Sequence, residues 1–364
     1  MVRILYVADG FPDGRVEKGI LTGLKNKFII GIAYWGKFNP IFKELESVPH
    51  WQFKLDTKTQ LGLASKQSIE SLSKIVADFK PDIIHVHDIF NARIAVKLNK
   101  KMVYDDHEFW SEQLKYEKPY GTFLTVTWLR RAFGLFLRKR FVKRWEKEVS
   151  SRSVVICAHP KVAEYHKQFS SNVFVVPNYP SLRELESLSS IKLNDKQQNL
   201  IAYIGGDISS GGGYMRKMKH FPGLIRKSNK KLIVVGDPNL QSDDFITSVG
   251  YVKHLTMYEY LMKASWGIIA WEPHPFHEFC NPNKIFLYAH SGLFVIMPSM
   301  IAPQGLKFYK TFIDYTDLSS ILNNDYKFNP SEIIEHARNH LTWEVLEPTI
   351  IKAYDSLLKF DELN

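Results

Sequence analysis

Short runs rich in β-branched and aromatic residues recur along this sequence, and longer stretches of helical period fill the intervals. RILYVA (3–8), FIIGIAY (28–34), DIIHVH (82–87), KMVYD (101–105), SVVICA (153–158) and VFVVP (173–177) read as strands. Between them lie amphipathic patterns such as 65–79, which stops at Lys80–Pro81. Strands that alternate with helices in this way predict a parallel sheet covered by helices on both faces.

The rhythm pauses over 181–198, which is rich in Ser, Glu, Lys and Asn, and then resumes. NLIAYIGG, KLIVVGD, ITSVGYV, WGIIAW, LFVIMP and TFIDY form a second series. The expected organisation is therefore a first doubly wound domain over 1–180, a linker over 181–198 and a second doubly wound domain over 199–340. A last helix in 341–364 is expected to cross back to the first domain. A chain of 364 residues is long enough for two cores. Two α/β domains in tandem set the carboxyl ends of their strands towards a shared cleft, where ligands of such folds bind.

Composition narrows the chemistry. Two cysteines, Cys157 and Cys280, do not make a disulfide framework or a zinc site, so a cytoplasmic location is expected. The opening MVRILYVADGF lacks the shape of a signal peptide, and no apolar run approaches the length of a membrane span. The net charge of +10 favours anionic partners. No nucleic-acid-binding motif accompanies it, so nucleic acid is not expected as a partner.

Several segments then fall into a familiar order. FPDGRVEKGI follows the first strand. PDIIHVHD and VYDDHEFW end later strands, and VVPNYP closes the first series. IAYIGG and LIVVGD open the second, NPNKIFLYAHSGLFVIMPS lies within it, and TWEVLEPTIIKAYDSL ends the chain. Together these resemble the GT-B glycosyltransferases of the large family-4 type. The resemblance runs over nearly the whole length. It implies two Rossmann-like domains facing a cleft, a nucleoside diphosphate sugar as donor, transfer with retention, and no cofactor or metal.

Residue by residue, the donor side centres on Asn283 and Lys284. Pro282 suits a first helical turn, Asn281 suits a cap before it, and Gly292 suits the C′ position. The free N–H groups and positive dipole end of such a helix bind phosphate, and Lys284 adds a cation. Where the family carries a ribose-binding glutamate, this chain has Leu287. The family's partner acid falls at Phe279, so Glu278, one residue away, is the expected substitute, with Glu272 as a second candidate. Gly205 and Gly206 stand where the family places an arginine. Glycines there and at 211–213 allow a main-chain anion nest, and Arg216 and Lys217 are the expected replacement cations.

On the acceptor side, Asp13 and Arg15 follow the first strand. His107, just past another strand, corresponds to a family histidine that contacts the donor sugar. His85 and His87 share one side of a strand and read as buried and hydrogen-bonded. No third ligand at useful spacing accompanies them, so no metal is expected.

The stretch 120–149 places Leu129, Phe133, Phe136, Leu137, Phe141 and Trp145 at helical spacing, with Arg130, Arg131, Arg138, Arg140, Lys143 and Arg144 elsewhere. It reads either as a core-facing helix with a solvated basic face or as a contact with the anionic inner face of a membrane. The expectation overall is a hexosyltransferase of polysaccharide biosynthesis, cytoplasmic or peripheral to the membrane, acting on a glycan or lipid-linked acceptor. The alternatives are a non-catalytic GT-B scaffold in a glycan-assembly complex and a sugar-nucleotide epimerase of the same fold.

Overall fold

A computed structural model describes residues 1–55, 66–106, 108–119, 123, 125–186, 188, 196–213, 215–301, 303–324 and 326–358. The chain forms two units, 1–177 with 346–364, and 178–345.

The first unit contains β1 (Arg3–Ala8), α1 (Gly14–Lys25), β2 (Ile29–Tyr34), β3 (His50–Gln52), α2 (Lys66–Phe79), β4 (Ile83–His87) and α3 (Ile89–Ala95). It continues with β5 (Lys101–Asp106), α4 (Trp110–Tyr116), α5 (Val126–Ser150), β6 (Val154–Cys157), α6 (Pro160–His166) and β7 (Val173–Val175). The strands pair in the order β3-β2-β1-β4-β5-β6-β7, all parallel. Every residue of β4 is buried, as expected for a central parallel strand covered on both faces. Leu5, Val7, Ile84, Val86 and Tyr104 meet Leu72, Leu114 and Val142 from the helices in one core.

The second unit contains α7 (Leu182–Leu185), β8 (Gln197–Ile204), α8 (Phe221–Lys227), β9 (Lys231–Val235), β10 (Ile246–Ser248), α9 (His254–Lys263) and β11 (Ala264–Ile268). After these come α10 (Asn283–His290), β12 (Phe294–Pro298), β13 (Tyr309–Phe312), α11 (Tyr315–Asn323) and α12 (Pro330–His340). Its strands pair as β10-β9-β8-β11-β12-β13, again all parallel. Both sheets are doubly wound, as the alternation in the sequence predicted. In each, the strand order reverses beside the first strand, so the carboxyl ends of β1 and β4, and of β8 and β11, flank the places where such sheets bind ligands.

Two local features depart from the sequence reading, and the last helix has residues in both units. The segment read as a linker begins with a helical turn, because Ser181 and Glu184 form a reciprocal capping box, and Gln197 and Gln198 already belong to β8. The strand read in TFIDY lies earlier, at Tyr309–Phe312, because Asp314 caps α11 through the N–H groups of Thr316 and Asp317. The last helix, α13 (Trp343–Leu358), starts in the second unit. There the Trp343 N–H reaches the Pro180 carbonyl at 2.9 Å and the Glu344 carboxylate accepts from the Leu182 N–H at 3.0 Å. From Leu346 onward its residues belong to the first unit.

Candidate functional site

The second unit's site grows from one awkward contact between strands. Tyr288, on α10, sends its hydroxyl between the ends of β8 and β11. It accepts from the Ile204 N–H at 3.0 Å and donates to the Ile268 carbonyl at 3.2 Å. The ring lies so close to β11 that a Cβ on Gly267 would sit 2.3 Å from its Cγ, so glycine is required there. This fixes α10 against the carboxyl ends of the two strands.

Lys284, in the first turn of α10, is held at the same place. Its Nζ donates to the Ile204 carbonyl at 2.6 Å and lies 4.7 Å from the ring centre of Tyr203 and 5.5 Å from that of Trp271. Burial lowers its pKa to about 8; Asp207 opposes the shift and Arg216 adds to it. Arg216 is exposed, and its guanidinium lies 4.9 Å over the other ring contact of Lys284, Trp271. Two cations and two aromatic faces thus gather beside the start of a helix.

Asn281 does not cap that helix. The N-cap position is Pro282, without a side-chain hydrogen bond, and the Asn281 Oδ1 instead accepts from the Asn178 N–H at 2.8 Å. An uncapped start leaves the first N–H groups of α10, near the exposed Asn283, to solvent or ligand. At the other end Gly292 takes φ +70° and the Leu293 N–H returns to the Tyr288 carbonyl at 3.0 Å, the C′ role expected of it.

The glycine loop is arranged differently from an open nest. The N–H of Gly205 donates to Val235, that of Gly211 to Ile208 and that of Gly212 to Asp207, at 2.9, 3.0 and 2.8 Å. The Gly205 amide is thus engaged by β9 and those of Gly211 and Gly212 by the loop itself, which takes these three out of an open nest. Gly206 is needed for close approach, since a Cβ there would meet the Gly236 carbonyl oxygen at 2.8 Å. A hollow of about 420 Å³ opens beside the loop, lined by Gly211, Gly212, Lys217, Lys219, His220 and Glu272. Lys217 is exposed, and its carbonyl accepts from the Glu272 N–H at 2.8 Å. Glu278 stands half-buried on the turn of 3-10 helix at Pro275–Phe279, and Leu287 is half-buried on α10.

In the first unit, a hollow of about 330 Å³ opens at the carboxyl ends of β1 and β4, lined by Asp9, Asp13, His87, Asp88, Glu108 and Trp110. Asp13 also caps α1, accepting from the Arg15 and Val16 N–H groups. Arg15, expected to face an acceptor, is only 7% exposed. Its guanidinium grips both oxygens of Asp105 at 2.9 to 3.1 Å and donates to the Val176 carbonyl at 2.8 Å. His107 lies outside the described residues.

Asp105 was not singled out in the sequence, yet it organises the centre of this unit. His87 Nδ1 lies 3.4 Å from it and His85 Nε2 lies 3.9 Å away. Burial opposes its ionisation, but Arg15, His85 and His87 outweigh burial and hold its pKa well below the usual carboxylate range. The expectation that no third group accompanies the two histidines is corrected here. His85, His87 and Asp105 each offer one ligand atom within 4.8 Å of the others. The donor set nevertheless fits an ion pair better than a metal, because Arg15 already occupies both Asp105 oxygens and places its own charge there. On the far side, His85 Nδ1 meets the Tyr354 hydroxyl at 2.6 Å, Tyr354 meets Tyr6 at 2.6 Å, and Tyr6 donates to the Gly19 carbonyl at 2.7 Å.

A neighbouring buried network fixes the β5–α4 turn. His166 bridges Asp106 and Ser150, both at 2.7 Å. The order Asp-His-Ser imitates a hydrolytic triad, but all three side chains are at most 1% exposed, so they clamp rather than react. The Asp106 Oδ1 accepts from the Phe109 N–H at 3.1 Å, and Glu146 accepts from the Ser111 N–H at 2.8 Å. Phe109 is held at φ +46° by this arrangement.

Residues 40–179 match the family model of Glycosyltransferase Family 4. Among solved structures, sucrose-phosphate synthase from Thermosynechococcus elongatus is 12% identical with a TM-score of 0.67, covering 98% of this chain and 99% of its own. HepE of Anabaena in complex with UDP is 13% identical with a TM-score of 0.63, covering 98% and 100%. The apo form of WaaB, a lipopolysaccharide outer core galactosyltransferase, is 12% identical with a TM-score of 0.62, covering 99% and 100%. No curated protein sequence matches.

Proposed function

From a chain whose fold is the family-4-like GT-B fold of glycosyltransferases, we propose that it transfers a hexosyl group from a nucleoside diphosphate sugar to a hydroxyl of a glycan or lipid-linked acceptor, with retention. The observation that carries the reading is the second unit's cluster: Lys284 and Arg216 around Trp271, beside the uncapped start of α10. Charge develops on the leaving diphosphate as the glycosidic bond breaks. Cations and oriented amides already in place stabilise that charge without rearranging. Arg216, Lys217 and Lys284 supply it from side chains, with the amides of Asn283 and Lys284 at the helix start, so the reaction needs no metal. Glu278 takes the part of the ribose-binding acid that Leu287 cannot play. By the family resemblance we assign His107 to the donor sugar, and we assign the hollow beside Asp13 to the acceptor. HepE, of the same fold, is described with UDP and glucose, which favours a uridine nucleotide as the first probe.

A thermal-shift screen of uridine, guanosine, adenosine and thymidine diphosphate sugars tests the reading, since a ligand that binds only the folded state raises apparent stability. One class is expected to bind and to release free nucleoside diphosphate in a donor-hydrolysis assay. Lys284→Met is expected to weaken that diphosphate roughly 10- to 150-fold, the effect of one charge-assisted hydrogen bond. Absence of binding by every donor would favour the scaffold instead.

A further inference from the structure

Helix α5 has two apolar faces. Leu135, Phe141, Val142, Trp145 and Val149 pack into the first unit's core, where Arg93 also lies 4.0 Å over the Trp145 ring. On the opposite side Val126, Leu129, Phe133 and Phe136 are 83%, 50%, 64% and 58% exposed. Steps of three and four residues keep these four in one stripe. Continued at the same steps, the stripe reaches Arg140, Lys143 and Arg144, all exposed. One outward face therefore changes from apolar to cationic along its length. The single apolar stripe read in the sequence over 129–145 is divided: its first half faces solvent, while Phe141 and Trp145 face the core.

A contiguous row of exposed large apolar side chains marks an interaction surface. A second copy of the chain fits it poorly. Parallel pairing would bring the three cations against their own images, and antiparallel pairing would oppose apolar to cationic halves. No helix among the described residues is long and apolar enough to cross a membrane. An anionic bilayer satisfies both halves at once, with the apolar row in the acyl boundary and the cations among lipid phosphates.

We propose that the outer stripe of α5, residues 126–136, inserts at the surface of an anionic membrane, with Arg140, Lys143 and Arg144 against the headgroups. This docking does not depend on sugar transfer. The test uses the full chain, sedimented with phosphatidylcholine vesicles that contain or lack phosphatidylglycerol. The chain is expected to bind only the anionic vesicles. Phe133→Ser with Phe136→Ser is expected to weaken binding at least about tenfold. Arg140→Gln with Arg144→Gln is expected to weaken it roughly 25-fold, about fivefold per cation. All four positions are exposed, so unchanged melting temperatures will confirm that the variants are folded. Equal binding to neutral vesicles, no binding to either, or variants that bind like the parent would overturn the proposal. So would a dimer in sedimentation velocity that the Phe133→Ser/Phe136→Ser variant abolishes.

Discussion

The depressed pKa of Lys284 gives diphosphate binding a pH dependence with a definite size. With the ammonium at about 8 in the free protein, roughly nine-tenths of it is charged at pH 7 and one-tenth at pH 9. If only the charged form binds the diphosphate, the dissociation constant rises about tenfold between those two values. The ligand does not confuse the reading, because a terminal phosphate loses its last proton near ~6. The Lys284→Met variant is expected to bind weakly and with a flat profile over the same range. Stability moves the opposite way. The folded pKa of Lys284 lies below its unfolded value near ~10.4, so unfolding takes up protons between the two and the fold gains stability as pH rises through that window. Lys196, half-buried against the carbonyls of Ala264 and Ser291 and lowered to about 7 by desolvation, adds in the same direction. Calorimetric titration with uridine diphosphate at pH 7, 8 and 9, beside denaturant unfolding of the parent and of Lys284→Met at each pH, reads both trends. The difference between the two proteins isolates Lys284 from Glu146 and Cys157, which burial raises and which act the other way. Binding that tightens or stays level towards pH 9 would refute the placement of Lys284 at the diphosphate.

Three further outcomes follow from the buried contacts. Arg15→Met removes one partner of a buried ion pair and is expected to cost about 3–5 kcal/mol in denaturant unfolding; adding Asp105→Leu should restore most of it, and a single variant as stable as the parent would rule out the pair. Asp105 is held below its unfolded pKa, so the stability it gives is present above ~4 and lost as pH falls through the folded value; acid unfolding of the parent should show that loss, whereas Arg15→Met should lack it. Gly267→Ala forces a methyl into the Tyr288 ring and is expected to lower the melting temperature steeply, whereas Gly134→Ala, inside α5 with nothing within 4 Å, is expected to hold or raise it.

The alternation of strand-like and helix-like runs made both sheets legible, because burial on both faces of a parallel strand leaves an unbroken apolar run such as VVIC. Caps were legible where the residue type acts locally. Gly292 ends α10. Asn281 shows the limit, since its side chain found a backbone partner 103 positions away. Arg15 and Asp105 are 90 positions apart, and neither is unusual alone; only the parallel pairing of β1, β4 and β5 brings them together. Helix α5 defeated the single-stripe reading because two opposed apolar faces leave no net periodic signal. The cations Arg216 and Lys284 were visible as residues, but the Trp271 ring between them required the sheet to be built.

Tyr354 closes the hydrogen-bond chain from Gly19 through Tyr6 to His85, inside a unit whose other residues nearly all precede 178. During synthesis the ribosome has therefore made the first sheet long before it makes the phenol that completes it. At ~5–20 residues per second, the interval from Pro177 to Tyr354 is roughly 10–35 s. For that time His85 and Tyr6 wait without their partner, and the unit encoded later has all of its own strands before the earlier one is finished.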